Sequence, residues 1–208
     1  MQELTKKFYE KTLRPDRQKS YEMIVDHIMN VSHPNTKSVV DYGCGAGWFL
    51  FYFKKKFNVD VFGYEPNKEM LEVIDKSVKN RVEFLSLTDT INLKRDFDLA
   101  MNIEVIEHID KKYEDLVLQN ITRHSDNLIF SAAYPGQGGV GHVNEQHFRY
   151  WKYKLNQMSW HLNDVGTRKL KVFLAKNKAA KWYIHNMSIF RRGFIIEDFK
   201  NESDTISD

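Results

Sequence analysis

The sequence predicts an α/β fold, a doubly wound and mostly parallel sheet with helices on both faces, from three observations. Short apolar runs that read as strands alternate with helical segments from residue 38 to residue 132. The first run, Val39-Val40-Asp41-Tyr42, enters a loop with glycine at 43, 45 and 47. The second, Val61-Phe62-Gly63-Tyr64, ends on an acid, Glu65. Strand, glycine loop, helix, strand, acid is the order in which an open parallel sheet holds a nucleoside. The glycines admit backbone close to the ligand, and the later carboxylate takes the ribose hydroxyls.

Taken in order, residues 1–30 read as helical, with Ile24, Val25 and Ile28 on one face and Pro15 suited to open the second of two helices. Residues 1–36 are expected to form an N-terminal helical lid, 37–200 the main domain and 201–208 a polar, frayed tail. Strands are predicted over 38–42, 60–64, 82–85, 97–102 and 127–132. Helices fall between them over 48–56, 67–77 and 113–124, the second carrying Met70, Leu71 and Ile74 on one side. After a long loop the pattern changes to helical stretches over 148–162 and 167–179, then a final antiparallel edge strand over 183–190.

At 208 residues, 42% of them hydrophobic, the chain suits one soluble domain with a small cap. A net charge of +3 with dispersed lysines and arginines gives no ground for a nucleic-acid partner. The run Lys54-Lys55-Lys56 reads as a solvated helix face. One cysteine, Cys44, rules out an intrachain disulfide and suits a reducing compartment. With no apolar leader and no membrane-spanning run, a cytoplasmic protein without a membrane partner is expected.

The glycine spacing is informative. Dinucleotide sites read G-x-G-x-x-G, whereas residues 43–47 read G-x-G-x-G behind Asp41. This resembles the first motif of class I S-adenosylmethionine (SAM) methyltransferases, and the resemblance covers roughly residues 38–132. It implies a Rossmann-like sheet with SAM as cofactor. By that resemblance Asp41, Gly43, Cys44, Gly45 and Gly47 surround the methionine moiety, and Glu65 and Pro66 the ribose. Thr88 and Asp89 stand near the adenine, and Asn102 and Ile103 form the floor beneath the sulfonium.

Residues 104–108 read Glu-Val-Ile-Glu-His. On one helical turn Glu104, Glu107 and His108 share a face and form a half-shell for a divalent cation. The motif marks the superfamily. It also resembles metal-dependent members, the small-RNA 2′-O-methyltransferases and the O-methyltransferases of ubiquinone synthesis, in some of which a later histidine completes the set. Here that histidine is His142, with His147 as substitute. Mixed oxygen and nitrogen ligands favour manganese, iron or zinc over an all-oxygen magnesium site, and manganese or magnesium is the cation carried forward. A plain structural reading stands beside this one: acids opening a short helix complement its dipole, and His108 satisfies a carbonyl.

Residues 134–151 hold four glycines, a polar stretch and an aromatic helix start, as a substrate-covering loop would. Asn144, Glu145 and Gln146 suit polyol hydroxyls, and Tyr134, Tyr150 and Trp151 offer flat faces for a sugar ring. This segment, with Trp182-Tyr183-Ile184-His185-Asn186-Met187 later, resembles small sugar methyltransferases of bacterial and large-DNA-virus glycan pathways, the algal-virus rhamnose O-methyltransferases nearest. The function expected is therefore SAM-dependent O-methylation of a sugar hydroxyl, with a cation, or His142 or His108 as general base. RNA ribose methylation, a quinone or phenol acceptor, and a non-catalytic SAM-binding partner of a glycosyltransferase are the rival readings.

Overall fold

The computed structural model describes residues 15–193. The start of the predicted lid and the predicted frayed tail lie outside the described residues. Among the described residues seven strands form one sheet: β1 Ser38–Tyr42, β2 Asp60–Tyr64, β3 Val82–Glu83, β4 Leu99–Ile103, β5 Asn127–Ser131, β6 Trp160–Leu162 and β7 Ser188–Arg192. Their spatial order is β3-β2-β1-β4-β5-β7-β6. The first five pair in parallel, while β7 runs antiparallel to both β5 and β6. The fold is thus the Rossmann-like, mostly parallel sheet expected, closed by antiparallel strands.

Side chains alternate across the sheet, as a pleated strand requires. Val39, Leu99, Met101 and Ile129 face one core, and Val40, Ala100, Leu128 and Phe130 face the other. The first core is covered by helix α1, described over Pro15–His27, and by α2, Trp48–Phe57. From α1 come Tyr21, Ile24 and Val25, and from α2 Phe49, Leu50 and Phe53. Three lysines fill the last turn of α2, where cations offset the helix dipole. Helices α3 (Lys68–Val73) and α4 (Lys76–Lys79) follow β2, and α5 (Glu114–Arg123) precedes β5. Helix α6 (Phe148–Gln157) joins α5 over the second core; α7 (Asp164–Lys176) and α8 (Lys181–Asn186) join the first.

Several elements differ from the sequence reading. The predicted helix over 67–77 is two helices, because Ile74 is extended and the Asp75 carboxylate accepts from the Ser77 amide at 2.8 Å, capping a new start. The stretch 148–162 is helical only to Gln157. Ser159 takes a left-handed φ of 62°, and Trp160, 1% exposed, begins β6. The predicted edge strand over 183–190 is α8 followed by β7, and β7 is interior, with β6 at the edge. An aromatic run such as Trp182-Tyr183-Ile184 fits helix or strand, and here packing against the α1 layer decides.

Candidate active site

Because β1, β2, β4 and β5 are parallel, the loops that follow them gather at one end of the sheet. Chain connections diverge from β1 and β4 in opposite directions, the point where open sheets bind ligands. Two adjoining cavities lie there, of about 600 and 360 Å³. Gly43, Gly45, Glu104, His108 and Val140 line both, so they form one groove.

The glycine loop builds its centre. Gly43, Gly45 and Gly47 have φ of 84°, 54° and 71°, the left-handed region. A Cβ at Gly43 would meet the Val105 methyls at 2.6 and 2.7 Å, so only glycine lets this loop rest on the next strand's exit. Glu65 then ties the loop down: its Oε2 accepts from the Gly45 amide at 2.8 Å and its Oε1 from the Asn67 amide at 2.9 Å. Each oxygen keeps a second lone pair for a ligand hydroxyl. Burial raises the Glu65 pKa against the pull of those two amides. Asp41, 2% exposed, is pushed up to about 7, by burial first and then by Glu65. Cys44 is buried in the loop, and its thiol is likewise pushed up by burial.

Glu65, Pro66 and Thr88 line the larger cavity, together with Asn67, Met70 and Ser86, which the sequence reading did not single out. Asp41, Cys44 and Ile103 line the smaller one. Asp89 is exposed, and its carbonyl accepts from Asn120; it lines neither cavity. Asn102 is fully buried and donates to the Tyr42 carbonyl at 2.8 Å, pinning β4 to β1 rather than forming a cavity floor.

The expected four-residue cation shell is rearranged. Glu104 is not on a helical turn: its φ is 54°, and a short 3-10 turn begins only at Ile106. Its carboxylate turns aside to accept from Asn186 at 3.0 Å and from Gln137 at 3.0 Å. Among the described residues, Glu107, His108 and His142 form the group whose ligand atoms lie within 4.8 Å of one another. His142 is carried there because the amides of Val143 and Asn144 both donate to the Glu107 carbonyl, at 2.8 and 3.0 Å. Gly139 permits it, since a Cβ there would fall 2.1 Å from His142 Nε2. His147 stands at the start of α6, lining a different cavity.

Glu107 is fully buried, and among the described residues neither carboxylate oxygen has a hydrogen-bond partner. Burial, then the Glu104 charge, push it up to about 8; the nearby Glu107 and Ala133 amides temper this without reaching hydrogen-bond geometry. His108 is lowered by burial and then by His142. His142 Nδ1 lies 2.7 Å from Glu145 Oε1. If Nδ1 carries a proton it donates to that carboxylate, and Nε2 is the ring nitrogen turned toward a ligand. A buried, unpartnered carboxylate beside two imidazoles fits a divalent cation by donor chemistry.

The substrate candidates separate. Tyr134 and Trp151 line a third cavity. Asn144 is buried and bonded to Gln146, Glu145 holds His142 and the Gly136 amide, and Tyr150 donates to Glu114. These four support the loop and line none of the three cavities. Residues missed in the sequence are Arg17 and Tyr21 of α1 and Gln137, which line the smaller groove cavity beside Tyr183. Arg17 stacks on Trp182 with 4.7 Å to the ring centroid. Only the Trp182-Tyr183 run had marked this region.

The chain matches the family described as "Methyltransferase domain" over residues 14–177, and belongs to it. No curated protein matches it by sequence. Solved structures resemble it at low identity. A SAM-dependent methyltransferase from Clostridium acetobutylicum ATCC 824 is 13% identical, over 91% of this chain and 99% of that one, with TM-score 0.65. Magnesium protoporphyrin IX methyltransferase from Synechocystis PCC 6803, solved with SAM, is 14% identical over 89% and 84%, TM-score 0.63. An amino pentose methyltransferase of calicheamicin biosynthesis from Micromonospora echinaspora, also with SAM, is 12% identical over 91% and 96%, TM-score 0.64. Among the described residues no helix is long and apolar enough to cross a membrane.

Proposed function

We propose that this methyltransferase binds SAM in the groove and methylates a sugar hydroxyl, with Glu107, His108 and His142 holding a divalent cation at the acceptor. The observation that carries this is the buried Glu107 carboxylate, without a partner on either oxygen among the described residues, beside two imidazoles. A charge that costly to bury needs a cation or a proton. The nucleoside fits the larger cavity, with Glu65 accepting from ribose hydroxyls beside the Gly45 loop. The methionine end fits the smaller one, where Asp41 faces the ammonium and Arg17 the carboxylate.

Transfer forms a carbon–oxygen bond as the carbon–sulfur bond breaks, the electron pair leaving on sulfur. An alcohol must first lose its proton. A bound cation would supply the Lewis acidity for that. The chain's part is positioning: the Glu145 carboxylate orients His142, and residues 136–141 cover the acceptor side from water. His142 Nε2 is the proton acceptor if the site works without metal. The sugar assignment draws on the aromatic cavity beside the groove, and on the amino pentose acceptor of one structural relative.

The test is transfer from labelled SAM to rhamnosides, other glycosides, catechols and short RNA, with enzyme stripped by chelator and reloaded with manganese or magnesium. Transfer to glycosides that is lost on stripping and restored by metal is expected. Glu107→Ala should behave as the stripped enzyme and still bind S-adenosylhomocysteine. Full activity after exhaustive chelation removes the cation from the reading, and transfer only to catechols or RNA removes the sugar.

A further inference from the structure

Beyond the groove, a cavity of about 350 Å³ opens past the carboxyl end of β5. Phe130, Tyr134, Phe148 and Trp151 form its walls, and His185 and Asn186 the side toward α8. It shares no lining residue with either groove cavity. The partition between them is polar: the Asn186 amide donates to Glu104 at 3.0 Å and to Gln137 at 2.8 Å, and both acceptors line the groove. Tyr134 and Gln137, three residues apart, therefore stand on opposite sides of one thin wall.

Two features set this cavity apart from loose packing. Trp151 is 1% exposed, yet among the described residues its indole Nε1 has no hydrogen-bond partner, and buried donors are seldom left unpaired. Among the described residues the lining also carries no carboxylate, ammonium or guanidinium. Flat aromatic faces with imidazole, amide and indole groups suit a neutral ring bearing both C–H faces and oxygen acceptors. The volume is at the lower end for ligand pockets, enough for one ring.

We infer that this cavity is a second acceptor subsite that takes the sugar ring adjoining the methylated one, so that the substrate is an oligosaccharide and not a free monosaccharide. The inference rests on the sugar reading above. The ring to be methylated lies at Glu107 and His142, and its neighbour crosses the Asn186 partition to stack between Tyr134 and Phe148.

The full-length protein, saturated with S-adenosylhomocysteine and labelled at its tryptophan indoles, is titrated with a methyl dirhamnoside and separately with methyl rhamnoside. The disaccharide should move the Trp151 indole signal, assigned by its loss in Trp151→Phe, and the monosaccharide should leave it in place. In turnover, the disaccharide should exceed the monosaccharide in kcat/KM by roughly tenfold or more, a ratio that His185→Ala and Phe148→Ala reduce to about one. A stationary Trp151 signal, or a ratio unaltered in both variants, overturns the subsite. A signal moved more by a monosaccharide with an aromatic aglycone overturns it in favour of an aglycone pocket. Movement by the disaccharide with no methyl transfer to any sugar keeps the ring site and overturns the sugar-methylation reading.

Discussion

Asp41 shows how single residues at this site trade stability for binding. Its carboxyl is raised from 3.8 to about 7 by burial and then by Glu65. The folded state therefore favours the protonated form, and the stability this gives is complete below pH 3.8 and lost as pH rises through 7. The ligand-free protein should melt lower at pH 8 than at pH 5, and Asp41→Asn should flatten that slope and stabilise at pH 8. At about 1.4 kcal/mol per pH unit, the gain is at most ~4 kcal/mol. Calorimetry across pH showing the same slope in both proteins would remove Asp41 as its source. Gly43→Ala should act oppositely, costing about 2–4 kcal/mol through its left-handed backbone and the Val105 collision. A melting temperature within a degree of wild type would contradict that. The glycine loop and Glu65 were legible because strand, loop and acid are local spacings. Glu104 was not, because a single positive φ turned its carboxylate away from the face that helical spacing assigns it.

Helix α1 is the element with most to add to function. Its Tyr21, Ile24 and Val25 belong to the core, while Arg17 and Tyr21 reach the groove. The lid expected over residues 1–36 is carried on as a proposal, tested through residues 1–18. Their deletion should lower kcat by roughly tenfold or more, the scale of losing one positioning charge, with the far-ultraviolet circular dichroism kept. Undiminished turnover in the truncated protein would end the lid reading. At this scale the sequence was readable wherever periodicity and length agreed, as for α2 and α5. It misled over β6 and α8, both short and aromatic, where the partner strand or the adjoining layer selects the conformation.

For the molecule as a whole, groove occupancy should govern stability. S-adenosylhomocysteine at a hundred times its dissociation constant adds about 2.7 kcal/mol, or ~5–11 °C of melting temperature for a domain of this size. Glu65→Ala should lose most of that rise at the same ligand concentration, because two backbone amides and the proposed ribose site depend on one carboxylate. An equal rise in the variant would place the nucleoside elsewhere. The doubly wound sheet and the end at which the groove opens were legible because both follow from alternating strands and helices. The β7-β6 order was not, since it depends on pairing between segments far apart in the chain.

That order has a consequence for how the protein is made. Among the described residues, strand β6 pairs with the sheet only through β7, which comes later in the chain. A nascent chain that has released β1 to β5 and even β6 still presents the bare flank of β5 to its surroundings. The ladder closes only when Ser188–Arg192 leaves the ribosome and slides between the two waiting strands. Until then each unfinished copy offers neighbours an adhesive rim of unpaired amides and carbonyls. Chains cut short before residue 188 should accordingly clump rather than circulate as smaller, inactive proteins.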